Sequence, residues 1–320
     1  MLKKKQNKKM KFSVIIPLYN KAPYVRKALE TVCAQTYRDY EIIVINDGST
    51  DNSSIIAEEY LKGIGGVNYK ILQQKNAGVA AARNNGVAQA NGDYLAFLDA
   101  DDWWKPTYLE RMAQLIEDYP DAGLYASNYF YHKDGKNIVK VKNVKTGYIN
   151  YPKTYFETFA MPVWTGATIV PRNIYYLSGG FRTHIRMSED FDLWIRIALL
   201  SKVVFLNDPL AYYNQNVQLK WRALGKLYSP KVQFAFNADY LIPYQKQNID
   251  IKHVVDMVKI VCLKQYYISV KYHELAKNEL SKVDIDEYKD KTYASYIWEP
   301  IWKLRIISFL EYIYQLMNNR

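Results

Sequence analysis

The stretch "YLAFLDADDWW", residues 94–104, runs an apolar strand pattern straight into Asp99, Asp101 and Asp102 and follows them with two tryptophans. Three carboxylates within four positions repel one another, so a folded chain has little structural reason to gather them at a strand's end. Either the cluster is a solvated turn, or something cationic belongs beside it. The residues that precede it decide what kind of strand this is.

Four short, mostly apolar segments bounded by turn residues fill the first hundred positions: "FSVIIP" (12–17), "YEIIVIND" (40–47), "NYKILQQ" (68–74) and "DYLAFLD" (93–99). Between them lie segments with helical spacing, 22–35, 51–62 and 78–90. Nearly continuous apolar strands separated by helices predict a parallel sheet covered on both faces. Ligands of such sheets bind outside the carboxyl ends of the strands. Tyr19 and Asn20 follow the first strand, Asp47 closes the second and Asp99 the fourth, so sequence-distant polar motifs are expected on one rim. Residues 105–222 read as mixed, with strands at 122–132, 167–171 and 203–208 and a helix over 188–200. From residue 225 the pattern is helical and aromatic, notably over 253–275 and 296–316. The expected organisation is a basic, disordered arm over 1–11 and an α/β domain over 12–224, with halves 12–104 and 105–224. A helical region over 225–320 completes it.

A chain of 320 residues that is 49% hydrophobic can bury a substantial core and suggests about two domains. At 23% charged residues it is no disordered polyelectrolyte. Thirty tyrosines supply apolar area with a polar tip, suited to a hydrogen-bonded interior, a sugar cleft or a membrane interface. The net charge of +11 is partly concentrated in "MLKKKQNKKMK", which reads as a solvated arm or as an attraction to anionic lipid head groups. No nucleic-acid fold signature accompanies it, so no nucleic-acid partner is expected. Cys33 and Cys262 are too far apart for a disulfide framework or a zinc site, which fits a reducing compartment. "FSVIIPLYN" is short and broken by Pro17, a strand and not the core of a signal peptide. No apolar stretch approaches the roughly 18 residues of a membrane span. The expected location is cytoplasmic, with peripheral contact at the inner face of the plasma membrane left open.

The polar motifs each admit two readings. In "NDGSTD" (46–51), Thr50 or Asp51 can cap the next helix, while Asp47 sits where a carboxylate accepts a hydrogen bond from a base or ribose. In "KNAGVAAARNNG" (75–86), a glycine before a helix start allows an anion to approach, and Arg83 reaches either a nucleotide or a structural acid. For "LDADD", a hard divalent cation removes the carboxylate conflict by taking oxygen ligands from the protein and from substrate phosphates. "SEDFDLWIRIA" (188–198) can simply place acids at a helix N-terminus, yet the adjacent Glu189 and Asp190 cannot both point one way, and one is free to act as a general base. Trp164 in "WTGATIVPR" offers a flat face to a sugar ring or belongs to the core. His184 reads as a loop residue.

Taken in order, "SVIIPLYNKAPYVRKALETVCAQTYRDYEIIVINDGSTDNS", "NAGVAAARNNG", "GDYLAFLDADD" and "GGFRTHIRMSEDFDLWIRIA" resemble the family 2 glycosyltransferases, inverting nucleotide-sugar enzymes with a GT-A fold. The resemblance covers about residues 12–215. It implies the nucleotide-diphospho-sugar transferase architecture: a mainly parallel central sheet flanked by helices, here with a helical C-terminal extension. It further implies that Pro17, Tyr19 and Asp47 hold the nucleoside, that Arg83 and Asp99 contact the nucleotide, and that Asp101 ligates Mn2+ or Mg2+. Asp190 would be the catalytic base, with Trp164, Gly166 and Glu189 on the acceptor side. The implied donor is a UDP-sugar and the acceptor a glycan or lipid-linked glycan of surface-polysaccharide assembly. A nucleotidyltransferase or a non-catalytic binder of the same fold are the alternatives. Two departures stand out. "QLKWR" (218–222) reverses the order of the Gln-x-x-Arg-Trp motif of processive members. "PLAYYNQNVQ" (209–218) lacks the His that many short members place there, leaving Asn214, Asn216, Gln218 or water to complete a metal shell.

Overall fold

The computed structural model describes residues 11–217 and 227–318 and divides the chain into two compact units, Met1–Gly225 and Lys226–Arg320. The basic arm up to residue 10 and the "QLKWR" stretch lie outside the described residues.

The first unit opens with strands and helices in alternation: β1 (Phe12–Leu18), α1 (Val25–Cys33), β2 (Tyr40–Asn46), α2 (Ser53–Ile64), β3 (Tyr69–Gln73), α3 (Val79–Ala88) and β4 (Tyr94–Phe97). The four strands pair in parallel in the order β3-β2-β1-β4. Every residue of β1 and β2 is buried, as strands covered on both faces require. α1 lays Val25, Ala28, Leu29 and Val32 against the sheet at helical spacing. Pro17 is tolerated in a central strand because the β1–β4 pairing stops at Ile15 and Phe97, so its missing N–H forfeits no bond to β4.

The second half of this unit contains β5 (Trp103–Trp104), α4 (Tyr108–Asp118), β6 (Ala122–Lys133), β7 (Lys136–Val139), β8 (Gly147–Ile149), α5 (Tyr151–Thr158), β9 (Thr168–Pro171), α6 (Arg172–Leu177), α7 (Glu189–Leu200) and β10 (Lys202–Asn214). β9 lies antiparallel between β4 and β6, and β10 runs parallel to β6. β10 is longer than the sequence pattern suggests. It continues through Pro209 because register shifts on both sides of that residue absorb the lost ladder bond. At the end of the sheet remote from the β-strand carboxyl ends, Ser13 Oγ donates to Glu41 at 2.7 Å and accepts from Gly92 N–H at 2.9 Å. Asn91 N–H donates to the same carboxylate at 2.6 Å. Burial would raise the Glu41 pKa, but these hydrogen bonds outweigh it and hold the carboxyl below its ordinary value.

The second unit is helical: α8 (Ile242–Gln245), α9 (Ile249–Ile268), α10 (His273–Leu280) and α11 (Ile301–Asn318). Three of its tyrosines bury their rings and direct their hydroxyls to acceptors. Tyr296 donates to Ile260 O at 2.8 Å, Tyr266 to Tyr228 O at 2.9 Å and Tyr288 to Asp256 at 3.1 Å. Among the described residues no helix is long and apolar enough to cross a membrane.

α3 can approach the sheet only because it carries Gly86. A Cβ added there would stand 2.6 Å from Ile15 Cγ2 and 2.7 Å from Ile45 Cδ1, both in the fully buried core. Overpacking at about 1–3 kcal/mol exceeds the helix propensity that alanine gains over glycine, about 1 kcal/mol. Gly86→Ala should therefore lower the urea midpoint. Gly63→Ala in α2, where an added Cβ meets nothing within 4 Å, should raise it.

Candidate active site

Four loops meet at the carboxyl ends of the parallel strands. After β1, Tyr19 stands 46% exposed, and Asn20 turns the chain with a φ of 50°. That turn is fixed by its neighbour: Thr50 N–H donates to Asn20 Oδ1 at 2.8 Å, and Lys21 N–H to Ser53 Oγ at 2.7 Å. Asp51 fills the capping role before α2 by accepting from Ser53 N–H at 3.0 Å and from Ala22 N–H at 3.1 Å. Lys21 is thereby aimed at the loop after β4, where its ammonium sits 2.5 Å from Asp101 Oδ2. Lys21 was not singled out from sequence, although its position just past β1 places it on the same rim as Tyr19.

The three aspartates of the opening stretch part company. Asp99 accepts from Arg83 at 2.7 Å and Asp101 from Lys21. Asp102 is buried and accepts from Asn214 N–H at 2.8 Å, tying the loop to the end of β10. Burial and then the neighbouring Asp101 and Asp99 push Asp102 well above the usual carboxylate range. Burial also raises Asp101, with Asp99 adding to it and Lys21 opposing. The remaining mutual repulsion is what a cation would relieve.

Arg83 is the hinge of the site. It lies about one turn into α3, only 3% exposed, with one terminal nitrogen on Asp99 and the other on Glu189 at 3.0 Å. Its guanidinium also stands 5.1 Å over the Phe181 ring. The structural ion pair weighed from sequence is therefore present. Its Nε is buried with no acceptor among the described residues, which leaves one N–H aimed at something else. The next residue, Asn84, donates to Phe181 O at 2.8 Å and accepts from Phe181 N–H at 3.1 Å, pinning α3 to the 179–181 turn. On the other side of that turn Arg196 donates to Gly180 O at 2.8 Å and pairs with the buried Asp192 at 2.6 Å.

Glu189 and Asp190 diverge, as adjacent carboxylates must. The backbone reaches them through Ser188, whose φ of 61° is left-handed. Glu189 faces Arg83; burial and the Asp190 charge nonetheless push its carboxyl up to about 7. Asp190 accepts from Phe191 N–H at 2.7 Å and from the Thr165 hydroxyl at 3.4 Å. Burial raises its pKa, which strengthens it as a proton acceptor. The phenols of Tyr129 and Tyr151 are raised by burial and by charges that include Asp190, so they remain neutral.

Several candidate residues occupy places the sequence did not foresee. Asp47 lies one residue past β2 and is 3% exposed. Both oxygens are engaged, by Gln74 Nε2 at 2.7 Å and by the N–H groups of Ala77 at 2.8 Å and Gly78 at 2.9 Å. Pro17 is buried within β1. Trp164 is in the core and not an open platform, stacked on Tyr213 at 5.0 Å and packed on Tyr129 at 4.7 Å. Gly166 is buried because the chain crosses the Trp164 indole there. An added Cβ would lie 2.4 Å from the ring, and the Gly166 carbonyl accepts from Trp104 Nε1 at 2.6 Å. Asn214 Oδ1 accepts from Asn216 N–H, and Asn216 Oδ1 from Asp134 N–H, so both amides serve the turn after β10. Gln218 lies outside the described residues.

Among the described residues no three His, Cys, Asp or Glu side chains converge as a metal cage. The donor set still suits a hard divalent ion of the magnesium or manganese kind. Asp99 and Asp101 offer carboxylate oxygens, and such ions take one or two carboxylates while substrate phosphates and water supply the rest.

The family model described as Glycosyl transferase family 2 matches residues 13–183. The glycosyltransferase GlyA of Streptococcus pneumoniae is 34% identical over 219 residues, which cover 63% of this chain and 30% of GlyA, so the chain spans about a third of that relative. Two solved structures share the architecture. S. aureus TarS 1–349, in complex with UDP-GlcNAc, aligns with a TM-score of 0.65 at 18% identity, covering 88% of this chain and 76% of that one. The mannosyltransferase PcManGT from Pyrobaculum calidifontis, in complex with GDP-Man and Mn2+, aligns with a TM-score of 0.57 at 16% identity over 98% and 88% of the two chains. The expected GT-A fold, a mainly parallel sheet between helices with a helical C-terminal region, is what these likenesses show.

Arg83→Met should destabilise the fold by about 3 kcal/mol, the lower end for unpairing buried charges because Asp99 is partly exposed. Adding Asp99→Asn and Glu189→Gln to that variant should recover part of the loss in denaturant titrations, since the two carboxylates paired directly with Arg83 are then neutral while Asp190 still lacks the charge that offset it.

Proposed function

Because this chain belongs to glycosyl transferase family 2, we propose that it is a glycosyltransferase that inverts the anomeric centre in a single displacement, moving a sugar from a nucleotide-diphosphate donor to an acceptor hydroxyl. The observation that carries this reading is the ion chain Asp99–Arg83–Glu189. It joins the loop that presents Asp101 to the helix start that presents Asp190, so the donor-facing and acceptor-facing carboxylates are held by one rigid connection.

The division of labour follows from the chemistry. A departing nucleoside diphosphate needs its charge neutralised, while an acceptor hydroxyl is a poor nucleophile until a base takes its proton. Asp190 is assigned the second task. Its raised pKa and its hydrogen bonds from Phe191 N–H and Thr165 orient one oxygen and leave the carboxylate basic. Trp164 and Gly166 support the acceptor side from beneath by fixing Thr165 between them, and Glu189 holds the helix start. On the donor side, Tyr19 presents an exposed ring to the base. Asp47 organises the 74–78 loop and can exchange a loop contact for the base, with Pro17 shaping the floor. Arg83, whose Nε has no acceptor among the described residues, and its partner Asp99 would contact the nucleotide. A bound Mg2+ or Mn2+, held by Asp101 with Asp99 beside it, would supply Lewis-acid stabilisation of the diphosphate. Lys21, now paired with Asp101, lies within reach of the same charge.

The donor is proposed to be a UDP-sugar, hexosyl or N-acetylhexosaminyl, with UDP-GlcNAc bound by TarS and GDP-Man with Mn2+ by PcManGT as the supporting parallels. The acceptor is proposed to be a glycan or lipid-linked glycan of surface-polysaccharide biosynthesis, and the working location the cytoplasm, at or near the inner face of the plasma membrane.

Calorimetry with UDP, with and without manganese, should show metal-dependent binding that Asp101→Asn abolishes. Asp190→Asn should retain UDP binding and lose transfer by about a thousandfold, scored by mass spectrometry against a donor panel. Transfer at the full rate by that variant would remove Asp190 as the base.

A further inference from the structure

Helix α11 presents two unlike sides. Leu304 is buried, with Ile301, Arg305 and Ser308 half-buried beside it, and Arg305 Nε donates to the carbonyl of Ile268 at the end of α9 at 3.0 Å. At about 100° per residue, Trp302, Ile306, Phe309 and Leu310 fall on the opposite side. They are 64%, 52%, 63% and 59% exposed. The sequence continues the same spacing through Ile313 and Met317. A further exposed tryptophan, Trp298, precedes the helix, and the loop after α9 carries Val270, 81% exposed, next to Lys271.

An apolar stripe of this size, exposed among the described residues, is an interaction surface. We propose that it lies in the head-group layer of an anionic membrane, with the helix axis parallel to the surface. Three observations select lipid over a second copy of the chain. The four described side chains offer on the order of 500 Å² of surface, short of the about 800 Å² per partner that a stable dimer buries. The stripe carries two large aromatic rings, Trp302 and Phe309, among the aliphatic Ile306 and Leu310, and Lys303, paired with Glu299 at 2.7 Å, adjoins it, which is the composition of helices that rest in an interface. The chain carries a net charge of +11, with six lysines in its first eleven residues, which opposes self-association and complements an anionic surface. α11 is in any case no membrane span. The stripe belongs to the second unit and the carboxylate site to the first, so this proposal does not depend on the transfer chemistry.

The test is vesicle flotation. The full chain is mixed with vesicles of equal parts phosphatidylglycerol and phosphatidylcholine, or of phosphatidylcholine alone. The wild-type chain should float with the anionic vesicles, and less with the zwitterionic ones. The triple variant Trp302→Ser, Ile306→Ser, Phe309→Ser should partition at least tenfold less. A control triple at exposed apolar positions of the first unit, Ile55→Ser, Tyr176→Ser, Leu177→Ser, should float like wild type. Both triples should keep the wild-type far-ultraviolet circular dichroism and urea midpoint in vesicle-free solution, which separates a folded, lipid-blind protein from a misfolded one. Flotation of the α11 triple at the wild-type level would overturn the proposal. So would a vesicle-indifferent wild type that sediments as a dimer and is made monomeric by the same substitutions.

Discussion

A guanidinium sealed from water is stable only where acids meet it, and Arg83 obtains both of its partners from loops far away in the chain. This condition organises the first unit. It sets the distance between the loop after β4 and the start of α7, and it requires α3 to sit low on the sheet, which Gly86 permits. Asn84 and the Gly180 turn then register α7 against α3 from the other side. Close packing of a helix on a sheet and the placing of catalytic carboxylates are thus one constraint seen from two ends.

Charge accounting explains why the rim invites a multivalent ligand. Among the described residues, Asp99, Asp101, Glu189 and Asp190 are answered by the cations Arg83 and Lys21. The upward pKa shifts of Asp101, Glu189 and Asp190 all record burial that the protein's own cations do not fully offset. Carboxylates raised in this way are useful where protons and phosphates are exchanged.

The parallel half of the fold was legible because period and composition determine it. Strands that are apolar at every position can only lie between two layers of helix, and the rim follows from their direction. Asp99 and Asp101 could be placed at that rim for that reason, whereas Asp190 was singled out by the adjacent acids of a helix start and by the family resemblance. What could not be read was where each side chain turns once the strand has ended, because no periodicity governs a loop. Asp102 looks like its neighbours in sequence, yet it folds inward to hold β10. Asp47 reads as a free rim carboxylate and instead clamps two backbone N–H groups. Trp164 presents the same letter whether it is a platform or a core ring; only Tyr129 and Tyr213 decide. In the second unit the helical character and the use of tyrosine were readable, whereas the packed side of α11 depends on a contact with α9 that spans 37 positions.

Ser188 holds a left-handed backbone immediately before Glu189 and Asp190, a conformation that disfavours any residue with a Cβ and costs about 1–3 kcal/mol where it persists. Glycine there would relax the chain and make the folded state cheaper, but it would also let the helix start swing through more orientations. Thermotolerance and catalytic aim are therefore in tension at a single residue. Variants selected for heat resistance alone would be expected to drift toward glycine at Ser188 and lose turnover as they did so.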